Sequence, residues 1–363
     1  MDSLVLRPHL FGNSAFRFPR LEESAWKFLR RVNKTAKPSN FVASRIFLRH
    51  IAQMTEVKSL TIRCFPSDDI EGFKSALYFV RTAWSMLQSQ LRILNLAIAV
   101  EAFSNSKIFP LNLAMRSLEE LTIVLRKAYS TTDDGEIISS LIPFINQHKS
   151  LISLAIDTPD GSVNPSPLFN ALCQFPCLTR LSISHLRFTD CSGIDVFLMK
   201  HAQRLEDFKI RFHIAHHSPT PTRFFSHPMF QIDLPLLASL DLGVFQWPKN
   251  SQVNVTDGLV RCIGRAGRWL TRLTVRDCAL TFSQVVSLVF VVGSETSQLR
   301  SLEMHIYSLS CSLLDLLSQK LPMLHDLELW LMNQDDGTWI TNDYWNGFDV
   351  CSLACFRAKT ISC

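Results

Sequence analysis

Glycine, proline and charge are all scarce in this 363-residue sequence. It has 12 glycines and 16 prolines, and only 19% of its residues are charged, whereas 47% are hydrophobic. The few glycines and prolines exclude a collagen-like or linker-like chain, and the high hydrophobic fraction excludes an intrinsically disordered one. The net charge of +5 is too small to indicate nucleic-acid binding by itself. The composition therefore predicts a continuously folded chain with ample material for a core.

Signals for secretion, membrane insertion and metal binding are also missing. The N-terminus, MDSLVLRPHL, lacks the pattern of a signal peptide, and the longest apolar run, VVSLVFVV at 285–292, is far shorter than a membrane span. The ten cysteines contain no C-x-x-C, and the pairs Cys173/Cys177 and Cys351/Cys355 lack the second half of a zinc motif. We therefore expect an intracellular protein, cytoplasmic or nuclear, with free thiols and no structural metal, cofactor or membrane contact.

Catalytic signatures are absent as well. The sequence contains no G-x-S-x-G, no G-x-x-x-x-G-K-[ST] and no H-E-x-x-H. His213, His216 and His217 cluster in HIAHH, but no carboxylate or thiolate stands at ligand spacing, so a loop or strand end explains them better than a metal site. We expect a protein that is not an enzyme.

A six-residue pattern with apolar residues at positions 1, 4 and 6 recurs along the chain. Successive copies start 25 to 34 residues apart, and eight of the ten have leucine at both position 1 and position 4, which exceeds chance in an apolar-rich chain. The ten hexads are VKSLTI (57), LRILNL (91), LEELTI (118), LISLAI (151), LTRLSI (178), LEDFKI (205), LASLDL (237), LTRLTV (270), LRSLEM (299) and LHDLEL (324). Weaker copies are MDSLVL at the start and VCSLAC at 350.

Segments with helical periodicity separate the hexads. Residues 68–88 begin with acidic residues and carry apolar residues at three-to-four spacing, which predicts an amphipathic helix. Four more helices are predicted, at 133–148, 190–203, 256–269 and 311–321, with Pro143 expected to kink the first. Residues 212–236 have three prolines within ten residues and no clean period, so we expect an irregular loop there.

A strand followed by a helix cannot bury its apolar edge alone, so neighbouring units must stack. The predicted fold is an α/β leucine-rich repeat solenoid of irregular repeats, a horseshoe with a concave parallel sheet and convex helices. The predicted array covers residues 57–332 in about ten units. Residues 1–56 are predicted to form an N-terminal capping region, which can include a degenerate repeat, and residues 333–363 a C-terminal cap or a degenerate repeat.

These hexads resemble leucine-rich repeat proteins, and the irregular helix-bearing units look like the repeat region of fungal F-box proteins. That family has Asn or Cys at repeat position 9, where only Cys278 fits here, so we expect heterogeneous turns rather than an asparagine ladder. An F-box usually begins with Leu-Pro and binds the adaptor of a cullin ubiquitin ligase. Residues 1–56 contain no Leu-Pro, so the resemblance implies adaptor binding only if an F-box is supplied.

Strand alternation predicts which side chains face a partner. If positions 4 and 6 enter the core, positions 3, 5 and 7 lie on the concave face. These positions carry a basic centre, with Asp207 and Asp241 interspersed, and an acidic end beside a tryptophan. The predicted partner-binding residues are Arg180, Lys209, Arg211, Arg272, Arg276, Glu303, Asp326, Glu328 and Trp330.

Two interpretations of this face stay open. Because solenoids offer large surfaces, it can bind a protein ligand, with the basic centre on an acidic segment of that ligand. Alternatively the charges only solvate the sheet and pair across neighbouring strands, for example Lys209 with Asp241. The sequence therefore predicts a non-catalytic protein-protein interaction module, and the resemblance implies the substrate-recognition part of an F-box type ubiquitin-ligase receptor.

Two further segments carry weaker alternatives. Residues 27–49 hold seven basic residues and no acid, which suits either nucleic-acid or acidic-surface binding or the solvated face of a capping helix. Trp339, Tyr344, Trp345 and Phe348 suit either a binding hot spot or a cap over the end of the core.

Overall fold

The computed structural model describes residues 3–6, 57–64, 87–99, 115–126, 134–159, 163–187, 191–213, 227–245, 255–266, 269–293 and 297–331. The chain divides into two compact units, Met1–Val163 and Asn164–Cys363. Within the described ranges, no helix combines the length and the apolar character that crossing a membrane requires.

The first unit is a parallel sheet of five strands with one described helix. The strands lie in sequence order, and each pairs with the next one along the chain. They are β1 (Ser3–Leu6), β2 (Ser59–Cys64), β3 (Ile93–Ala99), β4 (Glu120–Arg126) and β5 (Ser153–Asp157). Helix α1 (Asp134–Asn146) connects β4 to β5 and continues through Pro143.

The second unit repeats this arrangement over six parallel strands, again in sequence order. The strands are β6 (Arg180–Arg187), β7 (Asp207–His213), β8 (Ser239–Phe245), β9 (Arg272–Leu280), β10 (Ser301–Ile306) and β11 (Asp326–Leu331). The helices are α2 (Ser166–Ala171), α3 (Ser192–His201), α4 (Val255–Ala266), α5 (Phe282–Val292) and α6 (Cys311–Lys320).

Every predicted hexad is a strand, and each strand begins at hexad position 3. Neighbouring strands align with equal hexad positions opposite each other, as Leu60 with Leu94 and Leu302 with Leu327 show. The weak copy at the N-terminus is strand β1, whereas the one at 350 lies outside the described residues. The prediction of an α/β solenoid of stacked strand-and-helix repeats is confirmed for the described part of each unit.

A backbone ladder at hexad position 2 joins the repeats. The carbonyl oxygen of position 2 accepts hydrogen bonds from the N–H groups of positions 2 and 3 of the next repeat. Lys58 O accepts from Arg92 N at 2.8 Å and Ile93 N at 3.0 Å, and Arg300 O accepts from His325 N at 2.8 Å and Asp326 N at 2.9 Å. Because this bond uses only backbone groups, it constrains no side chain, and position 2 is free to vary in sequence.

The core is built from hexad positions 1, 4 and 6. Leu91, Leu94 and Leu96 of one repeat have no exposed surface, and Leu270, Leu273 and Val275 of another are at most 1% exposed. The alternation of β5, with positions 3, 5 and 7 half-buried and positions 4 and 6 buried, is that of a sheet covered on one side. We call the side formed by positions 3, 5 and 7 the open face.

Four of the five predicted helices are confirmed, as α1, α3, α4 and α6. The fifth, at 68–88, lies almost wholly outside the described residues. The sequence pattern does not predict the other two helices. Helix α2 is too short to show a helical period, and helix α5 contains the apolar run at 285–292, whose sequence indicates only that it is too short for a membrane span. Helix α5 begins at a capping box, in which Thr281 Oγ1 accepts from Gln284 N and Gln284 Oε1 accepts from Thr281 N.

The irregular loop predicted at 212–236 is described in part. The 3₁₀ helix Pro228–Gln231 occupies the place where other repeats have an α-helix, and His227 Nδ1 accepts a hydrogen bond from Met229 N there. Residues 214–226 lie outside the described part. The predicted boundaries at residues 56/57 and 332/333 remain predictions for the same reason.

The turns before the hexads are heterogeneous, and two of them contain buried histidines. A buried residue lies three or four positions before most hexads, and it is His148 in one repeat and His201 in another, each 1% exposed. The ring of His201 accepts from Phe175 N at 2.9 Å and contacts Phe197 O at 2.8 Å. Since Phe175 is the corresponding residue of the preceding repeat, this ring links two repeats where no asparagine is present.

Candidate functional site

A depression of about 520 Å³ lies on the open face of the second unit. It extends from β7 to β11, and its polar lining comes almost entirely from hexad positions 3 and 5 of those five strands. The polar and charged lining residues are Asp207, Lys209, Ser239, Asp241, Arg272, Thr274, Arg276, Ser301, Glu303, Asp326 and Glu328. We call this feature the β7–β11 depression.

The structure brings six of the nine predicted site residues together in this depression. They are Lys209, Arg272, Arg276, Glu303, Asp326 and Glu328. Arg180 lies outside the lining, on β6, with Asp207 as its register neighbour. Arg211 and Trp330 also lie outside it, at position 7 of β7 and β11. Asp207 and Asp241 also belong to the lining. The sequence pattern places them among the cations, but they are not among the predicted partner-binding residues.

Three ion pairs connect four neighbouring strands in the depression. Lys209 Nζ lies 3.4 Å from Asp241 Oδ2, and Arg276 Nε lies 3.1 Å from Asp241 Oδ1. Arg276 NH2 also donates to Glu303 Oε2 at 3.1 Å. The result is a ladder of alternating charge from β7 to β10, and we call it the ion-pair ladder. The pairing of Lys209 with Asp241 is the one that the second interpretation of this face named.

Strand β9 departs from the regular repeat beside the ladder. Val275 pairs with Met304 and Leu280 with Ile306, so residues 276–279 face a single residue of β10. Asp277 in this bulge has a φ of 65°, a conformation that non-glycine residues rarely adopt. Such a bulge redirects the side chains of its strand.

Residues of three other strands surround the bulge. His305 Nδ1 accepts a hydrogen bond from Asp277 N at 2.9 Å, and Arg211 Nε lies 3.9 Å from Asp277 Oδ2. A Cβ at Gly243 would lie only 2.5 Å from Asp277 Oδ2, so the glycine leaves room for that carboxylate. The position rule missed Asp277 because it stands at position 8, beyond the regular strand.

Burial at two open-face positions corrects the sequence map. Thr274 and His305 were expected to be exposed, but they are only 5% and 6% exposed. Glu303 lies above Thr274, whose Oγ1 is 3.4 Å from Glu303 Oε2, and the β9 bulge hydrogen-bonds to His305. The bulge and the ladder therefore cover these two side chains. A strict alternation of exposed and buried positions along the strand does not predict this burial.

The electrostatics follow from this partial burial. Burial raises the pKa of Glu303, Arg276 opposes that rise, and Glu328 adds to it. Burial likewise raises the pKa of Asp207, against the effect of Arg272 and Arg180. Burial, with Arg276 and Arg211 adding to it, lowers the pKa of His305 to about 4. At neutral pH His305 is therefore an uncharged ring among charged neighbours.

Two of the described thiols are shielded from solvent. Burial raises the pKa of Cys262 and of Cys278 to about 12, which keeps both protonated and poorly nucleophilic. Cys278, the residue that fits repeat position 9, is itself only partly exposed. Among the residues that the structure covers, no group of three His, Cys, Asp or Glu side chains is placed to hold a metal ion.

Several sequence candidates fall outside the described residues. They are the basic stretch 27–49, His216 and His217, and the aromatic residues Trp339, Tyr344, Trp345 and Phe348. His213 is described and ends strand β7. The alternatives attached to the other residues stay predictions.

Comparison with known proteins finds only weak likenesses to solved structures. No protein-family model matches the chain, and no curated protein matches it. One similar solved chain belongs to the crystal structure of the Rad7 and Elc1 complex in yeast; it is 12% identical, with a TM-score of 0.37 over 89% of this chain and 96% of that one. Another is a Bacteroides fragilis protein from a structural genomics consortium, 16% identical, with a TM-score of 0.40 over 85% of this chain and 76% of that one. Likenesses this weak carry no information about what this chain binds.

Proposed function

We propose that the chain is a non-catalytic protein-binding module of the leucine-rich repeat kind, and that its partner lies on the open face of the second unit. The resemblance to fungal F-box repeats suggests a more specific role, the recognition of substrates for a cullin ubiquitin ligase. The adaptor of that ligase would join only through an F-box. The observation that carries the proposal is the β7–β11 depression, lined by charged side chains from five consecutive strands.

The reason is geometric. Positions 3 and 5 contribute little to the core, because positions 1, 4 and 6 already fill it. A repeat fold alone does not require eight charged groups around one depression, since small polar residues would solvate the same backbone. Convergent charge from neighbouring strands suits an extended or loop-shaped protein segment that crosses the sheet.

The test uses two side chains that lie outside the ion-pair ladder. In the variant Arg272→Glu/Glu328→Arg the core and the ladder stay intact, so the fold should be preserved. The full-length chain, wild type or variant, is used to retain proteins from an extract of its own organism. A retained protein is then purified, and its dissociation constant is measured by calorimetry. We expect the variant to weaken binding at least tenfold.

The matched control reverses one cation and one carboxylate on the open face of the first unit, Arg63→Glu/Glu120→Arg. It should retain the partner with unchanged affinity. If the partner binds both variants as well as the wild type, or if only the control loses it, the proposed face is wrong. Co-purification of a ubiquitin-ligase adaptor would support the more specific role.

A further inference from the structure

We propose that the partner presents a basic side chain, arginine or lysine, to the β10–β11 end of the depression, between Glu303 and Glu328, on the side of the open face where Trp330 follows Glu328. This inference rests on the proposed function and adds the chemistry of the partner. It reverses the expectation from the sequence, in which a basic centre was to receive an acidic segment.

The charge of the lining is the first step. The depression is lined by five carboxylates, from Asp207, Asp241, Glu303, Asp326 and Glu328, against three cationic groups, from Lys209, Arg272 and Arg276. Carboxylates exceed cations by two charges, so the field in the depression attracts cations.

The three cations already have acidic neighbours within the chain. Lys209 and Arg276 belong to the ion-pair ladder, where Arg276 contacts both Asp241 and Glu303. Arg272 lies near enough to Asp207 to oppose the rise that burial causes in the pKa of that carboxyl. An acidic partner would therefore have to displace internal carboxylates. A basic partner would instead meet Asp326 and Glu328, for which no ion pair is present among the described residues, and would share Glu303 with Arg276.

The register of the sheet locates the excess of negative charge. On the open face of the second unit, Arg180 is opposite Asp207 and Lys209 is opposite Asp241, so these neighbours have opposite charge. Glu303, by contrast, is opposite Glu328. Among the register neighbours described on this face, these two residues form the pair in which both side chains carry the same charge. Two carboxylates directly opposite each other destabilise a sheet, and a cation between them removes that repulsion.

The ladder ends on β10 at Glu303, which is one member of this pair. It alternates from Lys209 to Glu303 and would need a cation on β11 to continue, but β11 supplies Asp326 and Glu328. In the part of the chain that the structure describes, neither of these carboxylates has an ion pair. His305, on the neighbouring strand, supplies no charge because burial lowers its pKa to about 4.

An aromatic side chain stands at the same end. Trp330 follows Glu328 by two residues on the open face of β11, and its ring centroid lies 6.2 Å from that of His305. A guanidinium or ammonium group is attracted both to carboxylates and to the face of an indole ring. The combination favours a basic side chain over a metal ion, for which no three ligands converge in the described residues.

The experiment selects peptides without presupposing the partner. A displayed library of random twelve-residue peptides is selected against the immobilised full-length chain. Enriched peptides are synthesised in two forms, with arginine and with citrulline, the uncharged isostere of arginine. We expect arginine or lysine at one fixed position, and at least a tenfold loss of affinity for the citrulline form.

Two variants link the effect to these residues. In Glu303→Gln/Glu328→Gln the arginine peptide should bind only as well as the citrulline peptide does, and the citrulline peptide should be almost unaffected. The control Glu120→Gln, on the open face of the first unit, should keep the full discrimination. Thermal unfolding of each variant checks that the fold is retained.

The outcomes separate this inference from the proposed function. Peptides that bind in the β7–β11 depression with no difference between arginine and citrulline, or that are enriched in Asp and Glu, overturn the basic partner and leave the binding module standing. A library from which no peptide is enriched on the folded wild-type chain counts against both.

Discussion

On the open face of the first unit, positions 3 and 5 of β2 to β5 carry one charged residue, Glu120, among eight. On that of the second unit, the same positions of β6 to β11 carry eight among twelve. Neighbouring strands are joined by a neutral hydrogen bond in the first unit, from Asn95 Nδ2 to Thr61 Oγ1 at 3.1 Å, but by the ion-pair ladder in the second.

Both units nevertheless share the buried hexad positions and the backbone ladder at position 2. The repeats of both units therefore stack through the apolar side chains of positions 1, 4 and 6 and the backbone groups of position 2. Stacking does not constrain the side chains at positions 3 and 5, so these can differ between the units. A difference that stacking does not require supports the proposal that the partner binds the second unit.

The largest effect should come from the core that the units share. Leu121 and Leu273 both occupy position 4 and are at most 1% exposed. Replacing either with alanine should lower the free energy of unfolding by about 2 to 5 kcal/mol, because each change leaves a cavity. Urea denaturation of the two variants measures this. Similar losses are expected, and a loss below about 1 kcal/mol in one unit would show that its core is not packed as described.

The second effect concerns two buried histidines in the turns before the hexads, His148 in the first unit and His201 in the second. Burial lowers the pKa of His148 from 6.5 to about 4, and that of His201 is lowered for the same main reason. The unfolded chain therefore binds protons that the folded chain does not, so stability is full above pH 6.5 and declines as the pH falls toward 4. For His148 the loss amounts to about 3 kcal/mol, at 1.36 kcal/mol for each pH unit.

The substitution His148→Leu tests this, since leucine occupies the corresponding place in another repeat, at Leu87. Stability measured by denaturation between pH 7 and pH 4.5 should depend less on pH in this variant. The substitution of the exposed His325 by asparagine serves as the control for removing a histidine at the surface. An unaltered slope in His148→Leu would show that His148 does not titrate as a buried group.

The smallest effect should come from the charges that distinguish the two faces. Arg276→Gln leaves Asp241 and Glu303 without their shared cation, in a place where the arginine side chain is 25% exposed. We expect a loss of about 1 to 2 kcal/mol, measured by urea denaturation. In the first unit, Arg92→Gln breaks the Arg92–Glu119 pair, in which the arginine is 57% exposed. That loss should be below about 0.5 kcal/mol, and equal losses would contradict the difference in burial.

The sequence by itself determined the repeat. Alternating apolar residues are a local property of the chain, so all ten hexads predicted strands, and four of the five predicted helices are present at nearly the predicted bounds. It also determined which side chains lie opposite the core, apart from those that the β9 bulge and the ion-pair ladder cover.

Only the tertiary structure decided what the open face can bind. Successive members of the ladder, Lys209, Asp241, Arg276 and Glu303, are separated by 27 to 35 residues in sequence, and their pairing depends on register and on the β9 bulge. The opposition of Glu303 and Glu328 likewise depends on which strands are neighbours. A count of charges along the sequence indicated a basic centre, because it could not show that stacking neutralises those cations and leaves the carboxylates of β11 unpaired within the described residues.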